Sequence, residues 1–320
     1  RHRKAMFMQL MTTERLTQLR DDFVARFIER IATWEAKDRI VLHDEAGRLV
    51  TETIYAWAGL PLPAEEVAPH LAAHRGMIVG APGLAHRYVW GRAGRRLTEE
   101  WMRERIEAVR DGSVAADTGS ALHVIAHHRD LDGRELDSYT AAVELMNVIR
   151  PTIAVDRYLA FVAKALHEHP RWQDELADAD DETLRAFVQE VRRMAPFFPF
   201  TAARVREDFA FQGMSFPQGR RVLLHLFGTN MDARIWPEPT RFRPERFLEG
   251  QPSPYALIPQ GGGEIHHGHR CAGEWMTIDL MMATTRLLTT AMTYHVPDQD
   301  LSIGRGQIPG LPRSGFVMSN

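Results

Sequence analysis

The sequence predicts a mainly α-helical protein, and three observations predict it. Apolar side chains recur at intervals of three and four, as in Leu16, Leu19, Phe23, Phe27 and Ile31, which is the period of one helix face. Sequence that is extended and punctuated by turns is confined to residues 203–227 and to the tail. No internal repeat or low-complexity segment interrupts the pattern.

In chain order, residues 1–37 read as one or two helices, opening on the basic cluster Arg1, His2, Arg3 and Lys4. Such a cluster is most often a solvated helix end. Ile40-Val-Leu-His-Asp-Glu45 is a short strand or a helix start. Thr53 to Leu60 is apolar and helical, with Gly59, Pro61 and Pro63 as its stop. A helix over 64–78 leads to a loop at Gly80-Ala-Pro-Gly83. Thr98 to Arg110 is an amphipathic helix with a capping-box-like Thr98. Ser120 to His128 is a further helix, and Asp130-Leu-Asp-Gly133 is a turn.

The longest periodic stretch is Leu136 to Glu168, with Val143, Met146, Asn147, Arg150, Ala154, Arg157 and Phe161 on one face. Pro151 has no N–H for the carbonyl of Asn147 and predicts a kink there. Arg150 lies in an apolar run, where a cation is seldom buried alone. Two readings stand. Arg150 pairs with Glu144 or Asp156, or lies at the surface where Pro151 starts a new helix; alternatively it awaits an anionic ligand. Thr183 to Met194 carries Glu190-Val-Arg-Arg193. Glu190 and Arg193 share a helix face, which by itself reads as a surface ion pair of little worth. Phe197-Phe198-Pro199-Phe200 reads as core. Residues 203–227 give short strands with turns at Gln212-Gly213 and Pro217-Gln218-Gly219. Asn230 to Phe247 is irregular but ordered, because aromatics are spaced through its prolines and charges. Trp275 to Met292 is helical, and the tail is strand-like.

The 320 residues, 44% hydrophobic and 25% charged, are enough for a large globular core. A net charge of -3 gives no reason to expect nucleic acid as a partner. One cysteine excludes an internal disulfide framework and fits a reducing compartment, the cytoplasm. No run of about 18 apolar residues is present, so no membrane span or signal peptide is expected. The chain opens inside a helical pattern without Met, which leads us to expect one domain over 1–320 that lacks an N-terminal portion.

The lone cysteine, Cys271, ends the loop Ile258-Pro-Gln-Gly-Gly-Gly-Glu-Ile-His-His-Gly-His-Arg-Cys-Ala-Gly273 and precedes a helix. A helix N-terminus favours a thiolate, and Arg270 acts in the same direction. Three readings are open: a small buried hydrophobe, a zinc site with His266, His267 and His269, or the single thiolate ligand of a haem iron.

Glu190-Val-Arg-Arg193, Phe242-Arg-Pro-Glu-Arg-Phe247 and the Cys271 loop follow one another in an order that resembles the cytochrome P450 superfamily. The resemblance implies a P450 fold with small β-sheets and haem b (iron protoporphyrin IX) on Cys271. It also implies a scaffold lock made by Glu190, Arg193 and Arg246. Two departures mark a subgroup. Glu264 and His267 stand where the usual loop has Phe and Gly, and Arg150-Pro151 replaces the usual acid and threonine of the central helix. Both look like the CYP152 fatty-acid peroxygenases and decarboxylases, as do Asn147-Val-Ile-Arg-Pro151 and Gln189-Glu-Val-Arg-Arg193. That likeness implies a long-chain fatty acid whose carboxylate is held by Arg150 at Arg150-Pro151 and acts as the acid–base group. It implies hydrogen peroxide as oxidant, without an obligatory redox partner. Phe197 and Phe198 would wall the pocket and favour 2-hydroxylation over 3-hydroxylation or decarboxylation. His2, Lys4 and His269 match positions near the haem propionates. Two other readings compete: an O2- and redox-partner-dependent P450 monooxygenase, and a non-catalytic haem sensor or fatty-acid carrier.

Overall fold

The computed structural model describes residues 2–80, 85–304 and 308–319. Helices α1 (His2–Gln9) and α2 (Thr13–Trp34) open it. Thr12 caps α2 by accepting the N–H of Arg15, which satisfies a donor that a helix start leaves free. Leu19, Phe23, Phe27, Ile31 and Trp34 are its buried side, as their spacing predicts. Strand β1 (Arg39–Val41) runs directly into α3 (Leu42–Trp57), so both readings of that stretch are realised. Gly59 then takes φ +88°, which glycine adopts without steric cost.

Helices α4 (Ala64–Gly80) and α5 (Ala85–Arg110) follow. Arg1 and residues 81–83 of the expected loop lie outside the described residues. The start of α5 corrects the sequence reading. The helix already includes Ala85, and Thr98 is no cap: its hydroxyl donates to the Gly94 carbonyl at 2.9 Å, within the helix. The arginine-rich stretch before Thr98 shows little apolar period. It is helical because glycines let it lie against α4: a Cβ at Gly91 would stand 2.8 Å from the Gly76 carbonyl oxygen. Helix α6 (Ala121–Ala126) is capped by Ser120 as expected.

The long periodic stretch forms α7 (Ser138–Ile153) and α8 (Asp156–Glu168). Pro151 lies inside α7, and the break between the two helices falls at Ala154 and Val155. Asp156 opens α8 just after it. The carboxylate is wholly buried and accepts from Arg157 at 2.8 Å and Arg75 at 3.0 Å, with His43 Nε2 3.2 Å away. Next come α9 (Arg171–Glu175) and α10 (Asp181–Met194), then two antiparallel pairs. Strand β2 (Thr201–Arg204) pairs with β5 (Arg221–Leu224), and β3 (Phe209–Phe211) with β4 (Met214–Phe216). Gln212 and Gly213 turn the inner hairpin, both at positive φ. Helix α11 (Leu226–Asn230), a 3-10 turn over Pro244–Phe247 and α12 (Glu274–Thr290) lead to β6 (Val317–Ser319). That strand pairs with β1, Met318 opposite Ile40. The core lies among α3, α7, α8 and α12, where Leu49, Ile54, Ile149, Leu159 and Met281 are fully buried. The aromatic stretch enters it only in part: Phe197 is buried, while Phe198 and Phe200 are exposed.

Candidate functional site

Two glycines shape the Cys271 loop. Gly261 has φ +90°, and a Cβ there would meet the His269 carbonyl oxygen at 2.9 Å, so the two arms touch. Gly268 is closed against the Glu264 carbonyl, to which its N–H donates at 2.9 Å. The Cys271 N–H donates to the Gln260 carbonyl at 3.0 Å, and Cys271 is a free, half-buried thiol. Burial pushes the thiol pKa up; a hydrogen bond from Gly273 and the charges of Arg192 and Lys4 act against it. Arg270 does not assist as the sequence reading supposed, because its guanidinium is committed to Glu274 at 3.0 Å.

Side chains that sequence reasoning passed over converge here. Arg192 is fully buried and donates to Gln260 Oε1 at 2.9 and 3.2 Å and to Glu274 Oε1 at 2.5 Å. The charge of Cys271 also acts on Tyr158, a buried phenol without a hydrogen-bond partner among the described residues. Arg192 stood one position from the motif arginine, and Glu274 directly after Gly273. Only the packing shows that they meet.

Glu190, Arg193 and Arg246 form a lock. Arg193 grips Glu190 with both arms, at 2.7 and 2.8 Å, and Arg246 Nε lies 3.2 Å from Glu190 Oε1. The reading of Glu190 and Arg193 as a surface pair is corrected: both are fully buried. The segment after Asn230 folds over that helix face. The Asn230 and Pro239 carbonyls accept from Arg193 Nη1 at 2.8 and 2.9 Å, and Trp236 lies under both guanidiniums.

Arg150 is half-buried and pairs with neither Glu144 nor Asp156. The only hydrogen bond of its guanidinium among the described residues goes to Asn147 Oδ1 at 3.2 Å. Asn147 donates in turn to Glu144 at 3.2 Å, and Glu144 accepts from Arg3 at 3.0 Å. No carboxylate forms an ion pair with Arg150 among the described residues, whose pKa is lowered first by burial and then by Arg95, against Glu99. Its charge helps hold the buried His74 neutral, down to about 3, where burial is the main cause. Pro151, the next residue, is exposed.

Phe197 packs on Tyr158 with ring centres 4.4 Å apart, and Phe198 stands edge-on to Phe197 at 5.0 Å. Lys4 donates to the Gly268 and Arg270 carbonyls at 2.7 and 2.6 Å, so it ties α1 to the cysteine loop. His2 bonds the Arg129 carbonyl at 2.9 Å, and His269 is exposed. A separate groove of about 860 Å³ between residues 168–172 and 240–249 contains none of these side chains.

The donor set fits a haem held by one thiolate. Cys271 has no disulfide partner, and among the described residues a Cβ at Gly273 would find only Met276 Sδ at 3.8 Å and Cys271 Sγ at 4.0 Å, so there is space beside the sulfur at Gly273. Among the described residues no three His, Cys, Asp or Glu side chains converge to hold a metal ion, so His266, His267 and His269 build no zinc site.

The cytochrome P450 family model matches residues 175–290. The chain is similar to the solved structure of cytochrome P450SP alpha (CYP152B1) in complex with (R)-ibuprofen. The TM-score is 0.95 at 44% identity, covering 100% of this chain and 78% of that one. It is also similar to a variant of cytochrome P450 OleT in complex with arachidonic acid, at TM-score 0.94 and 36% identity, covering 100% and 76%. Cytochrome P450 3A14 from Cavia porcellus is 31% identical over 169 residues, 46% of this chain and 33% of that protein. The chain thus aligns with about a third of the length of the first curated relatives it matches.

Proposed function

We propose, for a chain that belongs to the CYP152 family of the cytochromes P450, the hydroxylation of long-chain fatty acids beside the carboxylate, driven by hydrogen peroxide. One observation carries the reading: Arg150 holds a half-buried guanidinium with no carboxylate partner among the described residues. An arginine stays charged when desolvated and forks onto a carboxylate through two parallel bonds.

Haem b on Cys271 is the proposed cofactor, and it supplies oxidation from peroxide, which brings oxygen and electrons together. The chain's own side chains do the rest. Arg150 binds the substrate carboxylate and fixes which carbons lie nearest the thiolate side. Asn147, bonded to Arg150 and anchored on Glu144, orients the guanidinium. Pro151 follows without an N–H and leaves the Asn147 carbonyl free of a helix bond. The bound carboxylate takes and returns a proton at one of its oxygens, so the substrate brings the general acid–base that the helix lacks. Phe197 and Phe198 restrict the bend of the acyl chain and favour the 2-position over the 3-position and over decarboxylation. His269 is exposed beside the loop and free to meet a haem propionate. Lys4 and His2 already serve backbone carbonyls, so their part is to hold the loop and the α1 end in place.

Turnover of a saturated long-chain acid with peroxide alone, set against NADPH plus a reductase, tests this. Hydroxy acid should form with peroxide. Product only with reductase supports an O2-dependent monooxygenase instead. No product with either, from protein showing a thiolate-type reduced-CO band, supports a haem-binding carrier.

A further inference from the structure

We propose that Arg192 is a positioning residue that sets the electron density on the Cys271 sulfur, a role resting on the haem-thiolate reading above. Arg192 is fully buried and reaches both ends of the thiolate turn. On one side its Nε and Nη2 bond Gln260 Oε1, and the Gln260 carbonyl accepts the Cys271 N–H. On the other side its Nη2 bonds Glu274 Oε1, and the Glu274 N–H meets the Cys271 carbonyl at 3.4 Å. Gln189 accepts its remaining arm. Gln260 is locked further by donating to Thr277 Oγ1 at 3.1 Å. One guanidinium thus clamps the residues that hold the backbone of Cys271 before and after it.

The charges around the sulfur explain why a cation belongs there. Glu274 is buried and divided between Arg192 and Arg270. Arg270 is spent on Glu274, so the charges left to act on the sulfur are the cations Arg192 and Lys4 and the opposing Glu274 carboxylate, and of the two cations Arg192 is the fully buried one. A buried charge without a counter-charge is costly, and the ligand's electron density follows the charges and hydrogen bonds around the sulfur. Arg192 therefore draws density from the sulfur, while Glu274 returns it.

The test uses three variants of the holoenzyme and two readouts, the C–O stretch of the reduced-CO complex and the ferric–ferrous midpoint potential. Arg192→Gln removes the cation and should lower both. Arg192→Lys keeps the charge but loses the fork; both readouts should stay near wild type although the melting temperature falls. Glu274→Gln removes the opposing anion and should raise both, which keeps the test alive if Arg192→Gln does not retain haem. Equal shifts in the Gln and Lys variants, a Glu274→Gln shift with the sign of Arg192→Gln, or no shift in any variant overturns the proposal. A wild-type protein without the thiolate-type reduced-CO band removes the haem-thiolate reading and this role with it.

Discussion

Truncating Arg150 to alanine should separate substrate recognition from folding. The guanidinium makes one hydrogen bond, to Asn147 at 3.2 Å, and no ion pair among the described residues. Its loss should therefore change stability by about 1 kcal/mol, the usual net worth of a single hydrogen bond. A fatty-acid carboxylate loses more. Two charge-assisted bonds of roughly 1.5–3 kcal/mol each amount to about 3–6 kcal/mol. At about 1.4 kcal/mol per tenfold, Kd for the acid should rise at least about a hundredfold. The assay is a spectral titration of the haem with a saturated acid and with the alcohol of the same chain length. The alcohol lacks the carboxylate and should bind wild type and variant alike, while peroxide-driven acid oxidation collapses. Full acid affinity in the variant, or equal loss for acid and alcohol, would refute the carboxylate clamp.

Three further outcomes follow from the geometry. Arg193→Ala breaks a buried ion pair, leaving Arg246 as the one guanidinium on Glu190, and should cost about 3–5 kcal/mol, read as a fall in denaturation midpoint together with haem loss. Asp156 is pushed up by burial, but His43, Arg157 and Arg75 prevail and hold its carboxyl below the usual range. A folded pKa below the unfolded one contributes stability that is present above the unfolded value, about 4. It is lost as pH falls below that, and Asp156→Asn should flatten the acid limb of a stability-against-pH curve. Phe198→Gly removes the exposed ring standing on Phe197 and should move hydroxylation from the 2- towards the 3-position, measured by mass spectrometry of the hydroxy acids; an unchanged ratio assigns regiochemistry to other walls.

The helices were legible where one face is apolar and the other polar. Leu19, Phe23 and Phe27 are an instance, since burial needs only a period that a sequence displays. The first half of α5 was not, because its helix rests on the contact of Gly91 and Gly94 with α4, and glycine leaves no hydrophobic trace. The same divide runs through the site. Cys271 stands out as a single thiol in a glycine loop. The fate of Glu190 and Arg193 depended on which segment covers their face, and a local pattern cannot distinguish a covered face from a solvated one. Arg192 was hidden for a related reason: its partners Gln260 and Glu274 are 68 and 82 positions away.

In the proposed reaction Arg150 and Cys271 act together, although no hydrogen bond or ion pair joins them among the described residues. Helix α1 connects them. Lys4 holds the cysteine loop through the Gly268 and Arg270 carbonyls, and Arg3, one residue earlier, holds Glu144, which leads through Asn147 to Arg150. Adjacent side chains on a helix point in different directions, so one short helix can grip both partners. The distance from the sulfur to the carboxylate clamp is then set by α1 as well as by α7. Reacting groups must be held to within fractions of an ångström to keep their advantage. Loosening Arg3 should therefore blur regiochemistry before it weakens acid binding. A clamp positioned only by α7 would show the reverse order.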